Sequence, residues 1–244
     1  MKELKNKKIV FLFYLFVTIV PIFCLLLDYF MSSIQPVEMN VGEYSIDKSL
    51  INQLIYWSVW SSIDICIFGL LNAINNKHNN MPNWITGKNN FTRITAESFI
   101  LFVIWIGGLA GGAVVGFNSW YKITKSILEH VLVPIIIIIF YFLINNERFS
   151  TKIYFKKYSW FSLIVVSLYS LFVISRAIMI QFYDNNDEPF SQFPYDQMNP
   201  SIVGWPLVII FFILFLSSFV AISTLFNWLS NINLKYRSKK NNIA

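Results

Sequence analysis

Six polar side chains set in apolar stretches could do chemistry together: Ser58, Ser61, Ser62, Glu129, His130 and Arg176. A hydroxyl and an imidazole held at one depth make a nucleophile and its base, because the imidazole can take the hydroxyl proton as the oxygen attacks a carbonyl carbon. Ser58 is the candidate nucleophile. His130 is the candidate base, since the only other histidine, His78, sits in a polar connecting segment. Ser61, Ser62 or backbone N–H groups would then stabilise the oxyanion. Arg176 would hold a substrate carboxylate or phosphate, with Tyr195 as a further substrate contact. Asp64 and Glu97 are also ionisable groups within or beside apolar runs, where such groups are costly and mark functional sites by default.

Each of these residues has a plainer reading. A helix-borne serine commonly hydrogen-bonds its own backbone, and serines are ordinary at membrane helix contacts. A lone intramembrane histidine is often a hydrogen-bonded structural residue. Glu129 could pair with Arg176 or Lys125, and Asp64 could be an internal ion-pair partner. The same groups could also line a polar pathway for transport or lipid handling, in which Asp64 would matter as much as His130 and Ser58 would be dispensable. A third reading is a structural subunit without chemistry.

The sequence carries no P-loop, dinucleotide fingerprint, zinc motif or nucleophile elbow. Cys24 and Cys66 fall in apolar runs with no CxxC pair or His/Cys cluster nearby. No cofactor, metal or disulfide is therefore expected.

The elements that must position these residues follow from composition. The 244 residues are 56% hydrophobic and 18% aromatic, with only 13% charged, against about 25% charged in a soluble domain. Lipid, not a soluble core, is the solvent for so much apolar surface. The net charge of +6 is spread over short segments flanking apolar runs, the topogenic pattern of a membrane protein and not a nucleic-acid surface. Crossing roughly 30 Å of hydrocarbon takes about 20 apolar residues. Six segments qualify: 9–30, 51–74, 94–117, 126–144, 158–182 and 202–229. The expected fold is a single all-α, polytopic membrane domain of six transmembrane helices, embedded in the lipid bilayer of the cell membrane.

Basic residues orient it. Most of the 19 lysines and arginines fall before span 1, between spans 2 and 3 (Lys77, Lys88, Arg93), between spans 4 and 5, or after span 6. The alternate segments hold Lys48, Lys122 and Lys125 and the acidic Glu38, Glu43, Asp47, Asp184, Asp187, Glu188 and Asp196. The positive-inside rule then puts both termini in the cytoplasm. That topology places Ser58, Ser61, Ser62, Glu129, His130 and Arg176 in the outer third of the bundle, Asp64 near the midplane and Glu97 near the inner surface. Gly107, Gly108, Gly111, Gly112 and Gly116 in span 3 predict a face that a neighbouring helix can approach closely. The segment Phe193-Pro194-Tyr195-Asp196, followed by Asn199-Pro200 and Gly204-Trp205-Pro206, predicts an ordered cap over the outer face.

Taken together, Trp57-Ser58 with Ser61-Ser62 in span 2, His130 with Pro134 in span 4, and Phe193-Pro194-Tyr195 after span 5 resemble the six-span androgen-induced membrane proteins and their bacterial relatives. The order of these motifs agrees over nearly the whole chain. The eukaryotic members of that family hydrolyse esters of fatty acids with hydroxy fatty acids, using a threonine in span 2 and a histidine in span 4. The resemblance implies Ser58 as nucleophile, where the family has threonine, and His130 as base. It implies a lipid ester as substrate. Ser62 stands where the bacterial relatives usually carry asparagine.

Overall fold

The computed structural model describes residues 6–34, 50, 53–111, 119–144, 147–183 and 193–241. Among these residues the chain is helical, with no strand. Six of its helices are long and apolar enough to cross a membrane, as expected of a multi-pass protein. Backbone N–H and C=O groups have no water to bond in hydrocarbon, so an apolar run must satisfy them within itself as a helix.

The long helices are α1 (Lys7–Ile34), α2 (Trp57–His78), α3 (Lys88–Ala110), α4 (Trp120–Ile144), α5 (Leu163–Tyr183) and α6 (Trp205–Asn241). The central parts of the expected spans coincide with them. Their ends differ, because several polar residues assigned to connections are helical. Helix α3 starts at Lys88 and so includes Arg93; α4 starts at Trp120 and includes Lys122 and Lys125. Lys2, Lys5, Glu38, Glu43, Asp47, Lys48, Gly112, Gly116, Asp184, Asp187 and Glu188 lie outside the described residues.

Consecutive helices alternate in direction, so α1 and α2 are antiparallel while α4 and α6 run the same way. Asn76 Nδ2 donates to the Lys7 carbonyl at 3.3 Å, setting the end of α2 beside the start of α1. Asn233 Nδ2 donates to the Phe142 carbonyl at 3.1 Å, and Arg237 donates to the same oxygen, tying the end of α6 to the end of α4. Lys88 Nζ donates to the Glu147 carbonyl at 2.6 Å at this same end, called the terminal end below. The cavity described next lies toward the other.

Two buried clusters hold the bundle. One joins Phe13 and Tyr14 of α1, Phe68 of α2, Phe91 of α3, Tyr141 of α4 and Phe226 of α6. The second surrounds Trp57 with Tyr169 and Val173 of α5, Phe219 of α6 and Met198 of the α5–α6 connection. Aliphatic side chains such as Leu12, Ile19, Leu171 and Ile213 point outward and are exposed, as a lipid-facing surface requires.

No neighbouring helix approaches closely at Gly107 or Gly111 of the expected glycine face. A Cβ built on Gly107 meets nothing within 4 Å, and one on Gly111 meets only its own helix. Gly107, Gly108 and Gly111 instead border the cavity. The tight crossing is between α1 and α2 at Gly69, where a Cβ would come 2.6 Å from Thr18 Oγ1 and 2.9 Å from the Thr18 backbone nitrogen.

Candidate functional site

A cavity of about 840 Å³ opens among the six long helices, α1 contributing Asp28. Most of its wall is apolar, built from residues such as Ile100, Ile104, Phe211, Leu214 and Phe215, and Gly107 leaves open space beside α3. Its polar lining comprises Ser58, Asp28, Lys122, Lys125, Ser126, His130, Tyr195 and a few others. A largely apolar chamber with polar groups on part of its wall suits an amphiphile, burying the hydrocarbon and leaving the reactive polar part among hydrogen-bonding groups.

Ser58 reaches the cavity from the first turn of α2 and His130 from α4. Local sequence sets the histidine. Pro134 lacks the N–H that would bond the His130 carbonyl in a regular helix, and residues Leu128–Leu132 form a π-helical turn in which Val133 N–H donates to Leu128 O. The imidazole stacks on Trp105 of α3, with ring centroids 5.9 Å apart and planes inclined by 18°. Nδ1 lies 3.1 Å from the Ser126 carbonyl. A carbonyl only accepts, so Nδ1 carries the proton and Nε2 of the neutral ring keeps its lone pair.

The other expected substrate contacts divide. Tyr195 lines the cavity from the α5–α6 connection, edge-on to Tyr56 at 6.5 Å. Its hydroxyl lies against Tyr169 and the Trp57 backbone, and burial pushes it up to about 12, so it remains a protonated donor at neutral pH. The cap expected around it is present in the described residues: Phe193, Tyr195 and Met198 pack on the Trp57 cluster, and Asn199 caps the short helix Pro200–Val203 by accepting from Ser201 N–H at 3.0 Å.

Ser61 and Ser62 do not line the cavity. Ser62 donates to Glu129 Oε1 at 2.5 Å, and Ser61 lies against Glu97. Both share a helix face with Ser58 but lie one turn further along α2, where Glu97 and Glu129 engage them. Arg176 is half-buried on α5 about two turns beyond Tyr169 and is not among the residues lining the cavity.

The cations at the cavity are Lys122 and Lys125, which flank a carboxylate that sequence reasoning passed over. Asp28 of α1 is 3% exposed and lies 2.5 Å from Lys125 Nζ and 3.7 Å from Lys122 Nζ. Lys125 Nζ is also 3.9 Å from Glu129 Oε2. The signal was there, since Asp28 is a carboxylate inside the first apolar run. Its lysine partners lie in the polar first turns of α4, which begins at Trp120, ahead of the apolar run that predicts the span.

Asp64 and Glu97 are brought together elsewhere, toward the terminal end. Arg93 grips Asp64 with both terminal nitrogens, Nη2 to Oδ1 at 3.0 Å, and its Nε donates to Asn90 Oδ1 at 2.9 Å. Arg93 Nη1 also reaches Glu97 Oε2 at 3.4 Å. The described residues contain no group of three or more His, Cys, Asp or Glu side chains arranged to hold a metal ion. No family model, curated protein or solved structure matches the chain.

Proposed function

We propose that this chain is a membrane-embedded enzyme that hydrolyses or transfers the acyl group of a lipid ester, with both termini in the cytoplasm and the cavity toward the outer leaflet of the cell membrane. The observation that carries this reading is that Ser58 and His130, from helices distant in sequence, line one largely apolar cavity. His130 is held there by Ser126 and Trp105 with Nε2 available. The same two residues and Tyr195 carry the resemblance to the androgen-induced family.

In this mechanism Ser58 Oγ attacks the ester carbonyl carbon while His130 Nε2 takes its proton. The tetrahedral intermediate collapses, the alkoxide leaves and His130 returns the proton to it. Water, or a second alcohol in a transfer reaction, then attacks the acyl-enzyme with His130 again as base. With Ser61 and Ser62 engaged elsewhere, the candidate donors to the oxyanion are Trp57 Nε1, buried at the cavity wall with no hydrogen-bond partner, and the Tyr195 hydroxyl. Lys122 and Lys125 replace Arg176 as the groups that would orient an acidic part of the substrate.

The test is labelling of the solubilised protein by a fluorophosphonate probe, comparing wild type with Ser58→Ala and His130→Ala. Labelling lost in both variants supports an activated hydroxyl. Unchanged labelling in Ser58→Ala, or none in folded wild type, sinks the reading.

A second reading, lipid handling without chemistry, draws on the Asp28–Lys122–Lys125 group at the cavity. There the chamber would hold a lipid, lipid binding would depend on the lysines, and Ser58→Ala would change nothing.

A further inference from the structure

The Asp64–Arg93–Glu97 cluster has no place in acyl chemistry, since none of its members lines the cavity. It sets two carboxylates against one guanidinium. Arg93 is committed to Asp64 through two nitrogens and only approaches Glu97 Oε2, at 3.4 Å. Glu97 is 3% exposed, and its Oε1 has no hydrogen-bond partner. Ser61 Oγ, fully buried and lying against Glu97, also completes no hydrogen bond. Tyr154 from the segment before α5, Tyr141 of α4 and Ser223 of α6 are the other polar groups packed around Arg93 and Tyr154. Glu129 and His130 occupy the π turn of α4, which also packs on α3. Arg93 is the one cation acting on Glu97 among the described residues.

A buried carboxylate that shares its only cation with a better-bonded carboxylate is costly to keep ionised. A proton on Oε1 removes the surplus charge and creates a donor for which Ser61 Oγ is the adjacent acceptor. We propose that Glu97, flanked by Asp64 and Ser61, is an occluded proton-binding site within the bundle. Ser61 is followed on α2 by Ser62, which bonds Glu129 on the cavity side, so the two serines set the site one residue from the ion cluster at the cavity. Release of the proton requires Arg93 to transfer from Asp64 to Glu97. That step exchanges an ion pair between α2 and α3 for one within α3, and so links proton occupancy to the bond that ties the two helices together.

The experiment is infrared spectroscopy of the full-length protein in lipid nanodiscs at neutral pH, reading the carbonyl stretch of a protonated carboxylic acid. The expected result is such a band in wild type, lost in Glu97→Gln, shifted in Ser61→Ala and unaltered in Ser58→Ala. No band in wild type, or a band at full intensity in Glu97→Gln, overturns the proposal. A missing band together with a sodium- or potassium-dependent thermal stabilisation that Glu97→Gln abolishes also overturns it, assigning the site to an alkali cation. If Glu97→Gln does not fold, Ser61→Ala decides, and an unshifted band counts against the proposal. Because Ser58 serves as the internal control, failure here is distinct from failure of the hydrolase reading.

Discussion

Ser62 of α2 donates a 2.5 Å hydrogen bond to Glu129 of α4, joining two residues 67 positions apart. Both are buried, and Glu129 sits in the π turn that also carries His130. The bond therefore braces the turn that presents the candidate base. Ser62→Ala leaves one oxygen of a buried carboxylate without its donor, which costs about 1–3 kcal/mol. The expected outcome is a lower midpoint of thermal unfolding in detergent, with reduced labelling of Ser58 at temperatures where the variant remains folded. An unchanged midpoint would mean that the bond does not brace the turn.

Ser58 and His130 should differ in how they fail. Ser58→Ala removes the nucleophile and should abolish both labelling and ester hydrolysis. His130→Ala keeps the hydroxyl but loses the base, a loss of roughly 10²–10⁴-fold by the usual contribution of general-base catalysis. Trp57→Phe keeps much of the packing against Tyr169 and Phe219 while deleting the indole N–H. It should lower kcat more than it raises KM, as expected for a donor used only in the transition state. The measurement is steady-state hydrolysis of a chromogenic medium-chain ester in micelles. Equal kcat for Trp57→Phe and wild type would remove Trp57 from the oxyanion site.

The fold class was legible because apolar run length is a direct consequence of bilayer thickness. Ser58 and His130 were legible as residues of one site because depth along a helix can be counted from its ends, and Tyr195 because it stands in the Pro- and aromatic-rich segment after span 5. Ser61 and Ser62 share a helix face with Ser58, as the spacing implies, but one turn further along they meet Glu97 and Glu129 instead of the cavity. Which buried carboxylate a neighbouring helix presents at that depth is a tertiary fact that periodicity does not carry. Helix ends were the other loss. Lys122, Lys125 and Arg93 look like loop residues to a hydropathy window, yet each is helical and satisfied by a carboxylate on a neighbouring helix. The glycine run of span 3 signals small side chains but cannot say whether a helix or a cavity occupies the space they leave.

Two glycines should therefore respond oppositely to enlargement. Gly69→Ala drives a methyl into Thr18, including its backbone nitrogen at 2.9 Å. Forcing extra volume into such a contact costs about 1–3 kcal/mol. Gly107→Ala meets open space and should leave thermal stability within about 0.5 kcal/mol, the usual range away from packed features. Gly107→Leu should fold as well but fill part of the cavity, raising KM for long-chain esters while sparing short ones. Matched stability losses for Gly69→Ala and Gly107→Ala in thermal unfolding would contradict the placement of α1 against α2.

The Arg93–Asp64 pair offers a test of which buried charge is held by which. Arg93→Met removes the only guanidinium from a cluster of two carboxylates, and breaking a buried pair from one side typically costs about 3–5 kcal/mol. Asp64→Asn should cost less, because Arg93 can then turn fully to Glu97, which its Nη1 already reaches at 3.4 Å. Arg93→Met combined with Asp64→Asn should recover part of the loss, since the double change leaves a single carboxyl that can be neutral. Thermal unfolding of the three variants in one detergent gives the coupling directly. Additive losses in the double variant would mean that Asp64 and Arg93 act independently, and that Glu97 is balanced by some other group.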